Sequence, residues 1–200
     1  MAMRPAALGY RAHSGWAALV VVSGDRKTIE VVDRRRIPLA DDEKLSGSVQ
    51  PYHAAEGKKL REAAALIGRF EASARRLAVQ GQKAVADDIA KKGYAPVRAA
   101  ILLASGRPLP ELESILASHA LIHTADGEHF RSALGHACEE GGIPVTRIRE
   151  RELAQRAEEE LKRPSAELIA TVAALGRSVG PPWTQDQKLA ALAGWVALAR

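Results

Sequence analysis

Apolar and polar positions along this chain follow two rhythms in turn. Residues 5–12 and 15–23 are short apolar-rich runs separated by a tight turn, and 28–39 (TIEVVDRRRIPL) alternates apolar with polar positions. These are strand patterns, and Gly24-Asp25 supplies the second turn, so the chain is predicted to open with a three-stranded antiparallel meander. A polar loop with Ser46, Gly47, Ser48 and Pro51 covers 40–51. From 53 to 92 the apolar spacing lengthens. Leu60, Ala63, Ile67, Phe70, Ala74 and Leu77 recur every three or four residues, and Val85 and Ile89 continue the stripe. That spacing predicts a long helix, divided or bent at Gly81 and ended by Gly93.

PVRAAILLASG (96–106) is a continuous apolar run, which predicts a strand buried on both faces and hence a central, parallel one. A short helix over 111–119 comes next, then another from Asp126, read as an N-cap, to Glu140. GGIPVTRI (141–148) reads as the fifth strand. Three helices close the chain: 150–163, one opened by Ser165 with Glu167 and ending near Gly176, and a last over 185–200. The order β-β-β-α-β-α-β-α predicts an α/β fold, a five-stranded mixed sheet flanked by helices, in a single domain spanning 1–200. A doubly wound parallel sheet would need a crossover helix within 24–27, where there is no room for one.

Composition narrows this picture without redirecting it. The 200 residues are 46% hydrophobic and 26% charged, ordinary for a globular chain. A net charge of +5 permits attraction to phosphate, and the basic residues cluster as Arg34-Arg35-Arg36, Lys58-Lys59, Arg75-Arg76 and Lys91-Lys92. Acids such as Asp87-Asp88 dilute them, so solvated faces are the better explanation of these clusters. Cys138 is the single cysteine, which excludes an intrachain disulfide and a thiolate zinc cluster and fits a reducing cytoplasm. It falls beside Phe130, Leu134 and Ala137 in a helical pattern and reads as a core residue. ALVVVSG is too short for a signal or membrane segment, so no membrane partner is expected.

One stretch carries a family resemblance. LGYRAHSGWAALVVV (8–22), with Ser14-Gly15-Trp16-Ala17 at its turn, resembles the first hairpin of RuvC-type Holliday junction resolvases and their ribonuclease H-like relatives. HTADGEHFRSALGHACEEGG leading into Ile143-Pro144-Val145, and the final DQKLAALAGWVALA helix, are similar in kind and order. The resemblance implies the ribonuclease H-like fold. It also implies acids on strand one, at the end of strand four and at the start of the last helix, holding two divalent metals for phosphodiester cleavage. This sequence departs from that pattern. The first station falls at Tyr10 and Arg11, the second at Ala104, Ser105 and Gly106, and only Asp186 matches. Asp186 has a second explanation, because Thr184 and Gln187 fit a capping box and an acid there favours the helix N-terminus. A degenerate metal site is therefore expected, with no cofactor.

The same cleft is expected to gather Arg11, His13, Ser14, Ser105, Arg107 and Asp186, an anion site for nucleic acid or a phosphorylated ligand. In an altered enzyme His13, Ser105 and Asp186 would carry the chemistry without metal. Arg11 and His13, two apart on a strand, share a side. Tyr52 and His53, with Glu56 one turn on, suggest a base and an orienting carboxylate, or simply a helix start. His119, His123 and His129 are spaced four and six apart, but Thr124 and Asp126-Gly127 are expected to break the helix between them, so no metal motif is read. There is no phosphate-binding glycine loop and no nucleophile elbow. A third reading is a scaffold forming a homodimer through the helix 53–92.

Overall fold

The computed structural model describes residues 2–200. The predicted meander is present as β1 (Arg4–His13), β2 (Trp16–Gly24) and β3 (Ile29–Pro38), followed by helices α1 (Pro51–Ala55) and α2 (Leu60–Lys91). Then come β4 (Tyr94–Leu103), α3 (Leu112–Leu116), α4 (His119–Glu140) and β5 (Val145–Arg149). The chain ends with α5 (Leu153–Leu161), α6 (Ser165–Ala174), α7 (Gly176–Val179) and α8 (Gln185–Leu198). The sheet order is β3-β2-β1-β4-β5, antiparallel within the meander and parallel from β1 through β4 to β5. This is the five-stranded mixed sheet that the element order predicts.

Strand alternation divides the core in two. On one face Leu8, Tyr10, Leu19, Val21, Ala99 and Ile101 pack against α2 and α4 through Ala74, Ala78, Val85, Ile89, Phe130 and Leu134. On the other, Ala7, Val20, Val22, Ala100 and Leu102 pack against α5, α6 and α8. β4 is buried on both faces because helices cover both, as its uninterrupted apolar run predicts. Helix α8 lies closest to the sheet. A methyl group added at Gly9 of β1 would stand 1.8 Å from the carbonyl oxygen of Ala190, and one at Gly194 would stand 3.3 Å from the Gly9 nitrogen. The two glycines let helix and strand touch backbone to backbone. Cys138 is buried, donating from Sγ to Gln82 Oε1 at 3.1 Å, and burial pushes its thiol pKa up to about 12.

Two helix boundaries differ from the sequence expectation. The predicted helix 53–92 is two helices, broken after Ala55 where Gly57 adopts a positive φ of 73°. Gly81, by contrast, breaks nothing and lies within α2, where a methyl would come 2.7 Å from Ile37 Cγ2, so it is a contact point with β3. Helix α4 starts at His119 and runs unbroken through 124–127, because Asp126 is not an N-cap but a buried side chain on its inner face. At the N-terminal end of α2 two small clusters lie apart from the sheet cores. One is Ala55, Ala63 and Ile67, the other Ile115, Ile122 and Ala125, and Tyr52 touches both.

Candidate functional site

β1, β4 and β5 run parallel, so their carboxyl-terminal ends open at the same edge of the sheet. The N-terminus of α8 reaches the same place, and Arg11, Ala104, Glu150, Arg151, Gln185 and Leu189 line the cleft between them. Ligands of open α/β sheets characteristically lie outside such strand ends. Alternation along β1 puts Tyr10 on the α2 side, fully buried, and Arg11 and His13 on the α8 side. Burial raises the Tyr10 pKa well above its usual value, and its hydroxyl is 3.4 Å from Gln82 Oε1.

Arg11 is the centre of the cleft. Its Nε and Nη2 donate to the two oxygens of Glu150 at 2.9 and 3.2 Å, a two-pronged grip on one carboxylate. Nη1 donates to Asp186 Oδ1 and lies 3.2 Å from His13 Nε2, which is itself 3.3 Å from Asp186 Oδ2. The hydrogen bond with Glu150, more than the charge of Asp186, raises the Arg11 pKa above its ordinary value. Arg131 approaches from α4, donating to the Leu102 carbonyl at 3.1 Å, and burial lowers its pKa. Asp186 also occupies the first turn of α8, whose capping box is complete: Gln187 N–H donates to Thr184 Oγ1, and Thr184 N–H donates to Gln187 Oε1. The capping explanation and the cleft contact thus hold together.

At this edge the resemblance implies acids around two metals. Two carboxylates, Glu150 and Asp186, are present, but a guanidinium occupies the space between them and takes their lone pairs. A divalent cation there would meet the Arg11 charge at close range. β4 contributes Leu103 and Ala104 at its end, where the metal arrangement needs an acid. Glu150 was not legible as a site residue in the sequence. Its signal is position alone: it is the first residue after β5, on the strand-end edge.

The remaining predicted residues are dispersed. Ser105 and Arg107 lie in the exposed loop after β4, where Ser105 Oγ accepts the Arg107 N–H at 3.3 Å, and neither bonds to the Arg11 group. Ser14 sits at the exposed hairpin turn and lines a separate groove with Trp16, Arg36 and Asp42. Beside that groove, His13 stacks on Trp16 with ring centroids 4.3 Å apart, and the Arg36 guanidinium lies 4.0 Å from the centre of the same ring. These contacts account for the polar furnishing of the hairpin.

Tyr52 and His53 belong to a different region. The carboxylate that orients His53 is Asp126, not Glu56. His53 Nδ1 is 2.5 Å from Asp126 Oδ2, and Asp126 Oδ1 accepts the Tyr52 backbone N–H at 2.7 Å. Glu56 is exposed just past the end of α1. Because α4 is unbroken, His119 and His123 share one face and stand beside His53, while His129 turns into the core. Burial lowers the His129 pKa. Asp126 was legible only as a helix start, although its place on the Ile122, Ala125, Phe130 stripe marks it as buried.

No protein-family model and no curated protein matches the sequence. Solved structures do match in shape. The Thermus thermophilus RuvC structure superposes with a TM-score of 0.52 at 10% identity, covering 96% of this chain and 92% of that one. T. thermophilus RuvC in complex with Holliday junction substrate gives a TM-score of 0.51 at 11% identity, covering 96% and 90%. At such identities the likeness is one of fold, and the chain has the ribonuclease H-like fold that RuvC also has.

Proposed function

We propose that this protein binds nucleic acid along its strand-end face and does not cleave it. The observation that carries the reading is Arg11 held between Glu150 and Asp186, a permanent cation where a cleaving relative needs divalent metal. Around that centre, where one cation offsets part of the charge of two carboxylates, Arg107 and Arg151 are exposed at the strand-end edge, and Arg36, lying on Trp16, adds a cation nearby. Exposed guanidinium groups suit phosphate oxygens. The net charge of +5 supports the same reading, as does a neighbour of the same fold, RuvC, solved in complex with a Holliday junction substrate.

The test is fluorescence anisotropy with labelled four-way junction, duplex and single-stranded DNA at several salt concentrations. Binding that weakens steeply with salt is expected. Arg107→Ala combined with Arg151→Ala should weaken it uniformly and reduce the log–log salt slope by about one per lost phosphate contact. Incubation with Mg²⁺ or Mn²⁺ should leave the DNA intact. Absence of binding at low salt, or metal-dependent cleavage lost in Asp186→Asn, would overturn the reading.

A further inference from the structure

Away from the strand-end cleft, three histidines meet where α1 packs on the beginning of α4. His53 comes from α1, and His119 and His123 stand one turn apart on the same face of α4. One ring nitrogen from each lies within 4.8 Å of the other two. The Nε2 atoms of His119 and His123 are 3.1 Å apart. Two nitrogens bound tetrahedrally to zinc at 2.0–2.1 Å would stand about 3.3 Å apart. The rings meet edge to face rather than stacking: His53 is at 90° to His119 and 62° to His123, with centroids 5.3 and 4.5 Å away. One nitrogen of each ring still lies at the point where the three meet.

The carboxylate behind His53 separates this cluster from a chance pair of solvated histidines. Asp126 is only 4% exposed, and it spends one oxygen on His53 Nδ1 and the other on the Tyr52 N–H. In the neutral ring, a carboxylate accepting from Nδ1 places the proton there and leaves the lone pair on Nε2. Metal-ligating histidines are held in this way, with carboxylate, imidazole and metal in series. A surface histidine pair alone needs no buried acid supporting a third ring. His119 and His123 are exposed, so solvent reaches the point of convergence.

We propose that His53, His119 and His123 bind a divalent transition metal of the zinc class, with Asp126 as the positioning residue and a fourth coordination place open to water. Three imidazole nitrogens select Zn²⁺, Ni²⁺ or Cu²⁺ over Mg²⁺ or Ca²⁺, which take oxygen donors. Two ligands from one helix and one from another make the metal a tie between α1 and α4. The site is about two turns of α4 distant from Arg131, which belongs to the cleft, so it stands or falls independently of nucleic-acid binding.

The experiment uses the full chain without an affinity tag. Zn²⁺ is titrated in competition with a chromophoric chelator, and Co²⁺ binding is followed by visible absorption. One equivalent per chain is expected, with the intense visible bands of low-coordinate Co²⁺. His119→Ala and His123→Ala should each weaken binding at least tenfold, and both positions are exposed, so circular dichroism should show the fold intact. Asp126→Asn should weaken binding by roughly 10–100-fold while leaving the Co²⁺ spectrum recognisable. The histidine variants decide the matter even where Asp126→Asn does not fold. Less than one equivalent at micromolar free Zn²⁺, unchanged affinity in either histidine variant, or displacement by millimolar Mg²⁺ overturns the proposal.

Discussion

Removing the guanidinium from Arg11 isolates what it does for the two acids it holds. Arg11→Ala deletes a two-pronged hydrogen bond to Glu150 and the contact to Asp186, and leaves two carboxylates facing the same space. The Arg11, Asp186 and Glu150 side chains are 25, 25 and 40% exposed, so the loss lies between that of a surface pair and that of a buried one. Two unit charges about 6 Å apart repel by roughly 0.7 kcal/mol in water and roughly 3 kcal/mol at an effective dielectric of 20. A destabilisation of about 2 kcal/mol follows, which for a chain of this length lowers the Tm by about 4–8 °C. Circular dichroism melts at fixed ionic strength measure it. The freed acids should then attract a divalent cation. At ten times its Kd, Mg²⁺ or Mn²⁺ would return about 1.4 kcal/mol to the variant. The parent protein should show no comparable rise, because its own cation already fills the place. A variant melting within about 1 °C of the parent, or an equal metal response in both, would refute the view that Arg11 stands in for a metal.

Two other outcomes test the packing and the buried titration. Gly9→Ala drives a methyl into the Ala190 carbonyl and should cost about 3 kcal/mol or more, seen as poor folding or a large Tm loss. Gly68→Ala on α2, with nothing within 4 Å of the new methyl, should instead stabilise by about 0.5–1 kcal/mol in urea unfolding. Burial keeps His129 neutral in the folded chain after the unfolded chain has taken up a proton. Its contribution is therefore full above the ordinary value of 6.5 and is lost as pH falls from there through the lower folded-state pKa. Urea unfolding between pH 7.5 and 5.5 should lose stability less steeply in His129→Gln, and an unchanged slope would count against this assignment.

The parts of this fold that were legible in the sequence are those whose signal is local. The period of two in the first strands and the unbroken run of β4 report burial directly, and the element order then leaves few ways to build the sheet. Where the outcome depended on distant partners, the same symbols misled. Gly57 and Gly81 look alike in sequence, yet Ile37 covers Gly81 inside a continuous helix while Gly57 meets open space at a helix end. Asp126 followed by Gly127 reads as a helix start, but its oxygens are taken by Tyr52 and His53, more than seventy positions away. Arg11 was conspicuous as a misplaced cation, whereas its partner Glu150 lies 139 positions on and nothing near it announces the pairing.

Helix α2 has 32 residues and spans about 48 Å, whereas ten-residue strands such as β1 reach about 33 Å. Its C-terminal part is fastened to the sheet by Ala74, Ala78, Val85 and Ile89, while Ala63 and Ile67 in its N-terminal part join the small cluster with α1 and α3, which Tyr52 links to the second cluster at the start of α4. Few apolar side chains close that outer unit, and its opening does not require any strand to part. Two stabilities rather than one are therefore expected: by hydrogen exchange, amides of α1 and α3 should open locally and those of β1 and β4 only on global unfolding. The three histidines join α1 to the start of α4 across that seam, so a metal bound there should slow this exchange and leave that of β1 and β4 unchanged.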